Sequence, residues 1–281
     1  MNEWESARER FLEDCRDAVR ISRENLRRLM EDNKDTEYGR RHGFAAIRDA
    51  EEYQRQVPLS DYRDYEEEVA RMEQGEERVL TAYEVKHYIM TSGSTGRQKR
   101  IPLTKEALGR CISPIYYAAY ACIPGMDAGK YLHLSVFRME PPVPERDTIL
   151  SAAYFRELYD RESFQLEERY LGGTRLLFSK GMGDVPYGKL WVMLSSPEMA
   201  GIQAFFLYDI LLFFRYFEEN WRRVLEDITY RRIPREAPLS DSVREALLAL
   251  PVPQEGWLER VERECAAGFA GILGRLWPGV K

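Results

Sequence analysis

Between Thr91 and Lys99 the sequence reads Thr-Ser-Gly-Ser-Thr-Gly-Arg-Gln-Lys, placing four hydroxyl side chains, two glycines and two cations within nine residues. Flexible glycines let successive backbone amides curl towards an anion, hydroxyls add donors, and Lys99 or Arg97 offsets negative charge. A triphosphate such as ATP suits that chemistry. The pattern is not a P-loop, because the Gly-Lys-Ser/Thr ending is absent, and it is not the Gly-x-Gly-x-x-Gly dinucleotide fingerprint. A structural turn fits the same composition, so the flanking elements decide between the two readings. An apolar stretch from Val79 to Met90 has strand character, while Thr104 can cap a helix beginning near Lys105 with Glu106 in its first turn. Strand, glycine loop and helix in that order present backbone donors to an anion.

The elements that must hold this loop are mostly helical before it. Phe11, Ala18, Ile21, Leu26 and Leu29 recur among dense Arg and Glu, which predicts one or two helices with a solvated face through Asp32. A compact non-helical passage is expected from Thr36 to Phe44, with Gly39 and Gly43 supplying backbone freedom. Pro58 separates two elements; Ser60 is the expected cap of a helix running towards Met72, and Gly75 ends it. After the loop, strands are expected at Tyr131–Phe137 and Lys189–Leu194, and a helix from Ser151 towards Tyr170. A long helix is expected over Phe206–Ile228, its aromatic face built for packing. Further helices follow at Ser240–Leu250 and Trp257–Phe269. The closing Leu276-Trp277-Pro278 lacks the polar character of a tail, which predicts contact with structure or a cut before another element.

Other chemistries are poorly supported. The four cysteines, Cys15, Cys111, Cys122 and Cys265, form no Cys-x-x-Cys pair and are expected to be reduced and mostly buried. His42, His87 and His133 have no metal-ligand spacing. A net charge of −6 disfavours a general nucleic-acid surface. Met1 to Arg10 do not form a secretory leader, and Ala204–Phe217, interrupted by Asp209 and Arg215, is a poor membrane span. A cytoplasmic location without membrane or nucleic-acid partners is the expectation. With 281 residues, 44% hydrophobic, the chain can build one large core or two modest ones.

Tyr88-Ile89-Met90-Thr91-Ser92-Gly93-Ser94-Thr95-Gly96, followed by Lys99 and Ile101-Pro102-Leu103-Thr104, resembles the phosphate-binding motif of adenylate-forming enzymes. It most closely resembles that of the plant auxin-responsive acyl acid amido synthetases and their bacterial relatives. Thr36-Glu37-Tyr38-Gly39, His42-Gly43-Phe44, Val57-Pro58-Leu59-Ser60-Asp61-Tyr62 and Gly75 through Leu80 look like the family's preceding segment. Phe217-Glu218-Glu219-Asn220-Trp221 and Leu276-Trp277-Pro278 look like later parts.

The resemblance implies an α/β fold: a partial large N-terminal domain of an adenylate-forming enzyme, with a mixed sheet flanked by helices. Residues 1–78 form a mainly helical lead-in, residues 79–281 an α/β portion, and the small C-terminal domain is absent. It also implies ATP with Mg²⁺, and small carboxylic acid and amine substrates joined through an acyl-adenylate. Thr91, Ser92, Gly93, Ser94, Thr95 and Gly96 would cradle the triphosphate; Lys99, ahead of Arg97, would be the catalytic charge partner. Tyr116, Tyr117 and Phe137 line the acyl pocket or pack in the core. The family's second nucleotide motif and ribose-binding aspartate have no counterparts here. Two alternatives therefore stand beside an amido synthetase: a non-catalytic nucleotide-binding or interaction remnant, and one half of a split enzyme, with a second polypeptide or self-association. Kinase chemistry is a poorer fit, because neither its glycine-loop pattern nor its His-Arg-Asp and Asp-Phe-Gly motifs occur.

Overall fold

A computed structural model describes residues 3–91, 99–107, 118, 121–123, 129–134, 147–148, 168–177, 186–204, 206–237 and 239–280. Its contacts divide the chain into two units, residues 1–122 with 143–153 and residues 123–142 with 154–281. The described strands are β1 (Val85–Met90), β2 (Arg100–Thr104), β3 (Lys130–His133), β4 (Asp147–Thr148) and β5 (Met199–Gln203).

In the first unit, α1 (Glu3–Arg16) and α2 (Ala18–Asn33) realise the charged amphipathic pattern. The passage after Asn33 is helical, contrary to expectation: α3 (Glu37–Arg41) is followed by a 3₁₀ turn at Phe44–Ala46. Thr36 explains the difference. Its buried hydroxyl donates to the Asn33 carbonyl at 2.7 Å and accepts the Gly39 amide at 2.9 Å, capping α3 at once. Gly39 is needed for close approach, since a Cβ there would lie 2.0 Å from the Asn33 carbonyl oxygen. Gly43, with φ of +63°, is the glycine that uses left-handed freedom.

Helix α4 (Ala50–Gln56) is capped by Asp49, and a 3₁₀ turn at Tyr62–Tyr65 leads into α5 (Glu66–Glu73). The cap is Asp61 rather than Ser60: its carboxylate accepts the Arg63 amide while its own amide donates to Asp64, a reciprocal capping box. Gly75 ends α5 at φ +97°, as expected. Glu37 joins α3 to α5, with Arg41 and Arg71 each 2.6 Å from its carboxylate, and Arg41 reaches Glu68 at 2.8 Å. Among the described residues this unit holds two small apolar clusters, one around Met30, Phe44, Ile47 and Val57, the other around Val69, Met72, Val79 and Tyr88.

The first unit's sheet is mixed, in the order β2-β1-β4, with β2 antiparallel and β4 parallel to β1. The strand expected from Val79 begins only at Val85. Arg78 and Val79 instead accept the first amides of α3, Glu37 at 2.8 Å and Tyr38 at 3.0 Å. Helix α6 (Lys105–Ala107) begins at the expected cap, Thr104, whose hydroxyl accepts the Ala107 amide at 3.1 Å.

In the second unit β3 and β5 pair in parallel, matching Tyr131, Leu132 and His133 with Gly201, Ile202 and Gln203. β3 realises the first part of the strand expected over Tyr131–Phe137; residues 135–137 lie outside the described residues, as does most of the helix expected from Ser151. Helices α7 (Gly173–Leu177) and α8 (Pro186–Leu194) follow. The run Lys189–Leu194, expected as a strand, is part of α8. Every residue from Tyr187 to Leu194 is buried, including Lys189, whose ammonium donates to the Leu134 carbonyl, and a helix buried on all sides has no amphipathic periodicity to distinguish it from a buried strand. The long helix α9 (Leu207–Thr229) is as expected, and α10 (Asp241–Leu248), α11 (Trp257–Ala266) and α12 (Ile272–Leu276) complete the unit.

The terminal Trp277 is core, as its composition suggested, with its indole N–H donating to the Ser196 carbonyl at 2.8 Å. Trp257 donates likewise to the Leu194 carbonyl at 2.8 Å, so two indoles satisfy carbonyls at and just beyond the end of α8. The Tyr187 hydroxyl donates to the buried Asp227 carboxylate at 2.9 Å, and burial raises the Tyr187 pKa. Cys265 is the buried thiol, pushed up to about 12 by burial, whereas Cys15 and Cys122 are exposed, against expectation. Cys111 lies outside the described residues.

Gly39→Ala should lower stability by about 3 kcal/mol, because the clashing atom is backbone and cannot swing aside. Urea unfolding followed by circular dichroism checks this: an unchanged midpoint would mean that α2 and α3 can separate freely.

Candidate functional site

β1 and β2 form a hairpin in which Met90 faces Arg100, Ile89 faces Ile101, Tyr88 faces Pro102 and His87 faces Leu103. Beyond the last rung, the Thr91 amide donates to the Lys99 carbonyl at 3.1 Å, and the Lys99 amide donates to the Thr91 hydroxyl at 3.1 Å. Thr91 and Lys99 thus close the stem of the loop. Residues 92–98, which include Ser92, Gly93, Ser94, Thr95, Gly96 and Arg97, lie outside the described residues. The loop connects two strands, correcting the expected strand–loop–helix order; the capped start of α6 comes one strand later. Ile101-Pro102-Leu103 misled because proline interrupts strand patterns. Alternation along the hairpin makes Pro102 an outward position on β2, the edge strand among the described residues, where its missing N–H breaks no rung.

Arg100 is outward by the same alternation, and both its backbone groups are satisfied by one side chain. The Tyr62 hydroxyl accepts the Arg100 amide at 3.0 Å and donates to the Arg100 carbonyl at 3.1 Å. The Arg100 guanidinium pairs with Glu73 at the end of α5. Lys99 is exposed, and its Nζ lies 5.8 Å from the centre of the Tyr62 ring. Asp61, next to Tyr62, is held down at about 2 by the Arg63 guanidinium, 2.7 Å away, by the Arg63 backbone amide and more weakly by the charge of Lys99. The described rim of the loop therefore offers a cation on a fixed stem. Sequence reasoning missed Tyr62, although Asp61-Tyr62-Arg63-Asp64 carries the spacing of a capping box and marks a rigid turn.

A polar cleft of about 390 Å³ lies beside the start of β1, lined by Glu76, Glu77, Arg78, Thr81 and Tyr83 among others; neither Thr91 nor Lys99 lines it. His42 closes α3 with its ring 4.3 Å from that of Tyr38, His87 stands in β1 and His133 in β3. Among the described residues no three His, Cys, Asp or Glu side chains gather as a metal site. Tyr116, Tyr117 and Phe137 lie outside the described residues. No helix among the described residues is long and apolar enough to cross a membrane.

Residues 7–281 match the GH3 family N-terminal domain. The chain belongs to the GH3 family. Similar curated GH3 proteins include the jasmonoyl-L-amino acid synthetase GH3.3 of Oryza sativa subsp. japonica, 27% identical and aligned over 99% of this chain and 62% of the relative. The indole-3-acetic acid-amido synthetase GH3.6 of Arabidopsis thaliana is 24% identical over 96% of this chain and 46% of the relative. The chain spans about half the length of the curated relatives it matches. Among solved structures, an AtGH3.15 acyl acid amido synthetase in complex with 2,4-DB superposes with a TM-score of 0.74 at 21% identity, covering 94% of this chain and 47% of that one. That likeness establishes the fold, a mixed α/β architecture of small sheets flanked by helices.

Asp61 gives the loop support a pH signature. Its pKa falls from 3.8 to about 2 on folding, so its contribution is complete above pH 3.8 and is lost as the pH drops towards 2. Asp61→Asn should flatten the acid limb of stability across that window, measured as the urea midpoint against pH. An equally steep limb in the variant would remove Asp61 from the account.

Proposed function

We propose that this GH3 chain is an ATP-dependent acyl-acid amido synthetase or the adenylating part of one. In the first step a carboxylate oxygen attacks the α-phosphorus of ATP, the bond to the β-phosphate breaks and pyrophosphate leaves. An amine nitrogen then attacks the acyl carbon, the bond to AMP breaks, and the nitrogen loses a proton to solvent. Family membership over residues 7–281 carries this reading, and the hairpin stem closed by Thr91 and Lys99 supports it.

In this reading the chain forms part of a large adenylate-forming domain, with residues 1–78 as a helical lead-in. Thr91, Ser92, Gly93, Ser94, Thr95 and Gly96 cradle the triphosphate. Lys99 neutralises charge that builds on the phosphate oxygens as pyrophosphate departs, the place where a preorganised cation accelerates most. Mg²⁺ held by the nucleotide's phosphates would supply further neutralisation there. The protein's own work is to orient the acid and the α-phosphate and to keep water from the acyl carbon.

A second reading rests on a different observation. At the start of α9, Phe206 and Leu207 are 70% and 81% exposed, and Tyr208, Leu211 and Leu212 continue the apolar strip. Such a strip marks a surface that another body covers. This favours a chain that works with a second polypeptide or by self-association.

Acid-dependent exchange of pyrophosphate into ATP tests the first reading, using the purified chain and mixed carboxylic acids. Exchange should appear above the no-acid control and fall on the order of 100-fold in Lys99→Ala. No exchange from a folded, monodisperse protein would sink autonomous adenylation. For the second reading, light scattering should show association that Leu207→Glu combined with Leu211→Glu abolishes; a wild-type monomer at every concentration would count against self-association.

A further inference from the structure

We infer that Tyr62 is a positioning residue that fixes the Lys99 end of the glycine loop for the polyphosphate of a nucleoside triphosphate. The inference deepens the proposed function and rests on it. The peptide leaving the loop is held from both sides. Inward, Lys99 exchanges hydrogen bonds with Thr91, one to its amide and one to its hydroxyl. Outward, the Arg100 N–H donates to the Tyr62 hydroxyl, and the Arg100 carbonyl accepts the hydrogen bond that this hydroxyl donates. Among the described residues no strand pairs with this side of β2, and one phenol takes the place of the rung such a strand would supply.

Tyr62 is itself secured, because it opens the 3₁₀ turn that the Asp61–Asp64 capping box fixes. Its ring lies 5.8 Å from the Lys99 ammonium, close enough to bias that flexible side chain. A lysine has four rotatable carbons, so its usefulness to a phosphate depends on how firmly its backbone is placed. The Arg100 side chain is tethered separately by Glu73, which allows the two supports to be tested apart.

Tyr62→Phe keeps the ring and removes the hydroxyl. In pyrophosphate exchange it should raise the KM for ATP about tenfold, the loss expected from two modest hydrogen bonds, and leave the KM for the acid unchanged. Glu73→Gln should leave both values near wild type. Hydrogen–deuterium exchange should show the Arg100 amide losing protection in Tyr62→Phe only, a readout that needs no nucleotide. A wild-type KM for ATP in Tyr62→Phe overturns the inference whether or not Arg100 loses protection. A parallel rise in both KM values also overturns it, since that would mark a general structural role. A wild-type chain that neither exchanges pyrophosphate nor binds MgATP in calorimetry overturns the functional reading first, and the inference with it.

Discussion

The side-chain amide of Asn33 bonds in two directions: its nitrogen donates to the Leu29 carbonyl at 2.7 Å and its oxygen accepts the Ala82 amide at 2.9 Å. The last turn of α2 is thereby tied to the segment that enters β1. Thr36 caps α3 against the Asn33 carbonyl, and the first amides of α3 then donate to Arg78 and Val79. A helix start always leaves such donors unfilled. Here they are filled by the backbone of Arg78 and Val79, just before and at the start of the stretch expected as a strand. The entry into the hairpin, and hence the place where the glycine loop begins, follows from a cap more than forty residues earlier.

At the other end of the hairpin, the side of β2 that no described strand pairs is closed economically. A strand edge exposes backbone donors and acceptors that invite pairing with other chains. Pro102 removes one donor, and the Tyr62 hydroxyl occupies the amide and carbonyl of Arg100. The segment 57–62 that resembles the family's lead-in thus carries a side chain that touches the loop stem directly.

What could be seen in the sequence divides by range. Local chemistry was legible: the charged helices, the Gly75 stop, the Thr104 cap, and the amphipathic α9 with its aromatic face. The family was legible from the loop and its flanks. Interactions that skip far along the chain were not: Tyr62 meets Arg100 across 38 positions, and nothing in either tripeptide announces it. α8 was misassigned for another reason. Its composition, apolar except for Lys189, records burial without recording geometry. The hairpin was hidden by Pro102, which only the alternation of rungs makes harmless.

The indoles that satisfy the end of α8 also set an order of events during synthesis. Leu194 and Ser196 receive their partners from Trp257 and Trp277, 63 and 81 positions later. A ribosome adding roughly 5–20 residues per second exposes α8 several seconds before either indole emerges. During that interval the carbonyls at and just beyond the end of α8 wait for the two indoles that will cover them, and a chaperone that shields this chain has a target there.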